Sequence, residues 1–82
     1  MMDRRDMDIE IIRIIRTELG IDSEVVVTLD SSFDDLNVDS LDRIEIAMAM
    51  EEEFDLEISD DQAQAFRTLK GLADFIAKEI GI

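Results

Sequence analysis

The run from Ser40 to Phe54 sets the strongest constraint on how this chain can fold. Its apolar residues recur at helical spacing, yet they fall on two sides. At about 100° per residue, Ile46, Ala47, Met50 and Phe54 share one face. Leu41 and Met48 lie opposite, flanked by Glu45, Glu51 and Glu52, with Ile44 at the border. A helix that only packs onto a core has no use for the second set. The expected element is therefore an α-helix with one buried face and one docking face, where apolar contacts are ringed by carboxylates. The signals before the run are equally specific. Asn37 takes φ > 0 almost as readily as glycine and can turn the chain. Asp39 is a good N-cap, and Asp42 suits the first turn. Ser40 then sits at or next to the first helical residue. A phosphate ester on its hydroxyl would face backbone N–H groups and the positive end of the helix dipole.

The flanking sequence supplies three more helices. The spacing predicts the first from about Asp6 to Leu19, with Ile12, Ile15 and Leu19 on the core side and Ile11 beside them. Gly20 is its expected stop, with Ile21 packing back over the last turn. Residues 21–38 show no sustained period. Val25-Val26-Val27 has strand propensity, but a lone strand would lack a partner, so the stretch is expected to be a long loop. Val25 or Val27, Leu29, Phe33 and Leu36 are its candidates for the core. Ser59-Asp60-Asp61-Gln62 is a capping-box pattern that opens a short third helix, about Asp60 to Phe66, burying Ala63 and Phe66. Thr68 caps the last helix, whose stripe is Leu69, Leu72, Ala73, Ile76 and Ile80, and Gly81 ends it. The fold class expected is all-α: a small four-helix bundle of three longer helices and one short, with a long loop between the first two. The 82 residues are expected to form a single domain.

Composition narrows the function. The net charge is −14, and residues 30–62 hold 13 acidic residues against Arg43 as their one base. Such a field argues against nucleic-acid binding, which needs a basic surface. It suits steering toward basic partners. No run reaches the apolar length of a membrane span, and the opening Met1-Met2-Asp3-Arg4-Arg5-Asp6 is no signal peptide, so the expected location is cytoplasmic. The absence of cysteine excludes disulfides and thiolate metal sites. The absence of histidine removes the usual general base. Ser40 has no histidine partner and no lysine at predictable distance, so nucleophilic catalysis is not expected and the chain reads as a non-enzyme. Asp30, Asp34, Asp35 and Asp39 could collect a hard cation, but their spacing is not that of an EF-hand loop, and no metal site is assigned.

Asp39-Ser40-Leu41, the acidic run from Ser40 through Asp55 and its Glu51-Glu52-Glu53-Phe54-Asp55 ending resemble the acyl carrier proteins, and weaker similarity covers nearly the whole chain. The resemblance implies that Ser40 carries covalent 4′-phosphopantetheine, derived from coenzyme A, whose thiol holds acyl intermediates. Asp39 and Leu41 complete the attachment motif, and Asp39 and Asp42 would help a phosphopantetheinyl transferase (holo-carrier synthase) position its metal and coenzyme A. Leu41, Asp42, Glu45, Met48, Glu51 and Glu52 would meet basic patches on enzymes of acyl-chain synthesis and transfer. The rest of the domain would supply a tether and an apolar groove between helices for short chains. A monomer serving fatty-acid or related lipid biosynthesis is the implied role. The sequence departs from the family pattern before the serine. Phe33-Asp34-Asp35-Leu36 is one residue shorter than usual, and Asn37 stands at the family glycine. Ser59 stands where the family often has proline.

Three alternatives stay open on the residues alone. One is a carrier for a specialised polyketide or peptide pathway. Another is an acidic helical adaptor that is never modified. The third is a small calcium-binding module.

Overall fold

Four helices carry the described residues: α1 (Arg4–Leu19), α2 (Ser40–Phe54), α3 (Asp60–Ala65) and α4 (Leu69–Ile80). The computed structural model describes residues 2–82. The all-α expectation and the long first loop both hold. Helix α1 packs against α2 and α4, and α3 against α2.

Helix α1 starts two residues before the expected Asp6. Asp3 caps it by accepting the Asp6 N–H at 2.9 Å. Its buried side is Met7, Ile11, Ile14 and Ile15, not the line Ile12, Ile15 and Leu19. Ile12 and Leu19 are only partly buried against the core. The five isoleucines made two stripes almost equally apolar, and packing against α2 and α4 chose between them. Gly20 ends the helix at φ 60°, where a side chain is strained. The Gly20 and Ile21 N–H groups return to the Thr17 and Arg16 carbonyls, a Schellman closure.

The connection to α2 is irregular, and α4 holds it in place. Phe33 N–H donates to Arg67 O at 2.9 Å, while Leu69 and Lys70 N–H donate to Ser31 O and Leu29 O. The first N–H groups of α4 thus find acceptors in the loop rather than in water. Val27 and Phe33 are buried; Val25 and Val26 are exposed. Leu29 and Leu36 pack at the edge of the core. Val38, not singled out in the sequence, is also buried.

Helix α3 opens with the expected capping box between Ser59 and Gln62. It ends at Ala65, one residue early, because Phe66 turns extended (φ −68°, ψ 131°). Ala63 is buried and Phe66 half-buried, its ring tilted against Phe75 at 5.4 Å. Helix α4 buries Leu69, Leu72, Ala73, Ile76 and Ala77, with Ile80 partly covered. Each large apolar side chain fully buried in this way stabilises the fold by roughly 1.5–3 kcal/mol.

Candidate functional site

Ser40 is the first residue of α2, and it is exposed. Its placement is built locally. The short Phe33-Asp34-Asp35-Leu36 segment closes on itself through Leu36 N–H to Ser32 O and Asn37 N–H to Asp34 O. Asn37 adopts φ 57°, the conformation expected of it. Val38 then turns inward and donates its N–H to Phe33 O at 3.0 Å. That inward anchor leaves Asp39 extended at the helix edge. Asp39 accepts the Asp42 N–H at 2.8 Å, and Asp42 accepts the Asp39 N–H at 3.3 Å. The expected cap is therefore a full capping box. It satisfies the third N–H of the helix and leaves those of Ser40 and Leu41 without an intrahelical acceptor.

Along α2 the two apolar sides separate cleanly. Ile46, Ala47 and Met50 are buried and Phe54 is partly so. Leu41 and Met48 are 63% and 60% exposed. Glu45 and Glu52 are exposed beside them, whereas Asp42 and Glu51 are half-buried. Glu51 also braces the fold, since its carboxylate accepts the Ile58 N–H at 3.0 Å and ties the α2–α3 turn to the helix. Met48, Glu45, Glu52 and Ala49 share a shallow depression of about 230 Å³ with Glu18 of α1. Glu18 extends the acidic rim by a tertiary approach that no sequence spacing signals.

Arg43 is the second residue the sequence left without a role. It sits about 200° around the helix from Leu41, in the middle of the buried stripe. Its guanidinium lies 4.9 Å from the centroid of the Phe33 ring and donates to the Phe66 and Ala63 carbonyls beyond α2. The single cation of residues 30–62 is thus withdrawn from the acidic face, which stays uniformly negative. The helical wheel alone would have shown Arg43 to be on the core side.

Electrostatics at the far end of α2 are set by α1. The neighbouring Glu10 carboxylate holds the Glu53 carboxyl above its usual range, while Arg13 holds Glu10 below it. Among the described residues, no group of three or more acidic side chains is gathered to hold a metal ion. Nor, among them, is any helix long and apolar enough to cross a membrane.

Comparison with known proteins bears directly on this arrangement. Residues 10–76, which include Ser40 and all of α2, match the family described as "Phosphopantetheine attachment site". The chain belongs to the acyl carrier protein family. An acyl carrier protein of Syntrophobacter fumaroxidans is 44% identical over 77 residues, 94% of this chain and 95% of the relative. One from Bdellovibrio bacteriovorus is 47% identical over 66 residues, 80% and 85% of the two chains. The crystal structure of an acyl carrier protein from Thermotoga maritima superimposes with a TM-score of 0.78 at 32% identity, covering 96% of this chain and 92% of the other. Membership makes this chain a carrier rather than an enzyme, with 4′-phosphopantetheine as its prosthetic group and with transferases and synthesis enzymes as its general class of partner. The residues of this carrier fit such a group. An exposed hydroxyl stands at a capped helix N-terminus, beside two backbone N–H groups suited to a phosphodiester.

Proposed function

We propose that Ser40 is the attachment residue and that the carrier serves fatty-acid or a related lipid biosynthesis. The observation that carries this reading is the exposed Ser40 at the head of a capping box, inside the matched segment. In the transfer, Ser40 Oγ attacks the phosphorus of coenzyme A that bears the pantetheine. The pyrophosphate P–O bond breaks, adenosine 3′,5′-bisphosphate leaves, and the hydroxyl proton passes to the transferase. When bound, the prosthetic group supplies a terminal thiol that holds acyl chains as thioesters. Asp39 fixes the helix end, and Asp39 and Asp42 face the transferase and help it place its metal and coenzyme A. Leu41 and Met48 give partners an apolar contact, and Asp42, Glu45, Glu51 and Glu52 give them charge. Glu45 and Glu52, the exposed pair, dominate that charge, and Glu51 contributes the oxygen not given to Ile58.

The partners of this face are a holo-carrier synthase and basic patches on enzymes that build and transfer acyl chains. The apolar cavity between α2 and α3, closed in this structure, opens to shelter short chains. We place the carrier in the cytoplasm as a monomeric single domain. The glutamate-rich α2 supports a lipid pathway over a specialised polyketide or peptide one.

The test is intact mass after incubation with coenzyme A and a broad-specificity phosphopantetheinyl transferase. A gain of one phosphopantetheine is expected. An unchanged mass would favour the unmodified acidic adaptor. Mass spectrometry of the protein from its native cell then reads the acyl group and separates lipid from specialised pathways.

A further inference from the structure

We infer that Arg43 sets the length of acyl chain this carrier shelters, by latching α3 onto α2 across the cavity that lies between them. The inference rests on the carrier reading of Ser40 and adds a specificity-determining residue to it.

The cavity is small and almost entirely apolar. Its volume is about 10 Å³, enough for at most one water and for no part of an acyl chain. Ile46 and Ala47 of α2, Ala63 of α3, Ile58, Phe66 and Phe33 wall it. Arg43 is the one polar side chain among the lining residues. A chain can therefore enter only if a wall moves.

The wall that can move is α3. At six residues it is far below the length at which a helix holds itself together in water. Ala63 is its one buried residue. Two side-chain ties cross from α3 and its exit to α2. Gln64 Nε2 donates to Ser40 O at 3.1 Å. Arg43 donates to Ala63 O and Phe66 O, at the end where α3 gives way to extended backbone. The Arg43 tie is the stronger, because its donor is charged and reaches two carbonyls that the end of α3 leaves without intrahelical partners. Its guanidinium is also held over the ring of Phe33, a lining residue from the first loop. One side chain thus clamps three parts of the cavity rim: α2, the α3 exit and the first loop. The Gln64 tie places the same wall beside the residue from which the prosthetic arm would extend.

Each methylene that enters the cavity leaves water and stabilises only the folded state. The melting temperature of the loaded carrier should therefore climb with chain length and level off once further carbons stay outside. The length at which it levels off reads the depth that Arg43 permits. The parent, Arg43→Ala and Arg43→Met are loaded at Ser40 with a ladder of amide-linked acyl-pantetheine groups, and the melting temperature of each is measured. Arg43→Ala should level off roughly two methylenes later than the parent, the length of stem that alanine lacks. Arg43→Met keeps an apolar stem but cannot bond the carbonyls, and should fall between. If Arg43→Ala does not fold, the comparison of Arg43→Met with the parent carries the test. Levelling at the same or a shorter length in the variants would overturn the assignment of Arg43. Loading is read separately by intact mass. Failure to load would overturn the carrier reading and this inference together, while normal loading with unchanged levelling would overturn this inference alone.

Discussion

Met48 and Met50 are two residues apart on α2 and face opposite ways: Met48 is 60% exposed, and Met50 is wholly buried. Two residues turn a helix by about 200°, so neighbours of the same type can serve packing and contact separately. Met50 lies with Ile46 and Ala47 in the core; Met48 lies with Glu45 and Glu52 in an open depression.

Replacing these two methionines by alanine should therefore have unlike effects. Truncating a buried methionine typically costs ~2–5 kcal/mol through lost transfer energy and a residual cavity. For a domain this small that is a large share of total stability, so Met50→Ala should melt many degrees lower or fail to fold. Met48→Ala should melt within a few degrees of the parent, since alanine is a good helix former. Its defect should appear in the rate of loading by the transferase, because methionine makes an adaptable apolar contact. Thermal melts of both variants, with loading kinetics on each, check this. A larger loss of stability in Met48→Ala would contradict the assignment of faces.

The charged rim predicts a salt-dependent defect. Glu45→Lys and Glu52→Lys should slow association with the transferase chiefly through kon, because both carboxylates are exposed at the rim. The gap from the parent should narrow as salt is raised, since exposed charges are screened within about 10 Å at 0.1 M. Stopped-flow association at low and high salt measures it. Equal rates for parent and variants at low salt would remove these glutamates from the docking face.

The α1–α4 contact predicts a titration. Lys70 and Arg4 both donate to Asp74, at 2.8 and 2.7 Å, and hold its carboxyl below the ordinary aspartate range. A depressed folded pKa means that the carboxylate stabilises the fold above its unfolded pKa. That contribution is lost as pH falls through the lower, folded value. The pair with Lys70 is exposed, so the effect on stability is small, but the titration itself is readable. Carboxyl NMR should place the Asp74 midpoint low in the parent. It should rise toward the ordinary value in Lys70→Ala, the larger influence, and rise further when Arg4→Ala is added. A midpoint indifferent to both changes would contradict the geometry.

Much of the fold was legible because its signals are local. Gly20 and Gly81 end helices at φ 60° and 85°, Asn37 turns at φ 57°, and Asp39, Ser59 and Thr68 cap as their types suggest. The two faces of α2 followed from periodicity alone. What the sequence could not rank was set by tertiary contact. The isoleucine-rich α1 offered two apolar stripes, and only its neighbours selected Met7 and Ile14 over Ile12 and Leu19. Val38 is buried through an anchor to Phe33 that has no period to reveal it. Glu18 reaches the acidic rim from another helix. Arg43 was legible in principle, since it falls on the core stripe. Its partners are backbone carbonyls at the end of α3, and no spacing in the sequence identifies those.

Ser40 is the proposed point of attachment, and other serines provide internal contrast. The hydroxyls of Ser31, Ser32 and Ser59 accept backbone N–H groups within their own turns, whereas Ser40 stands exposed at the first position of α2. Ser40→Ala keeps Asp39 as the cap, so its helicity should match the parent. The most direct measurement is the intact mass of parent and Ser40→Ala after identical incubation with coenzyme A and a phosphopantetheinyl transferase. One phosphopantetheine is expected on the parent and none on Ser40→Ala at equal helicity. A Ser40→Ala protein that still gained one phosphopantetheine would contradict that assignment.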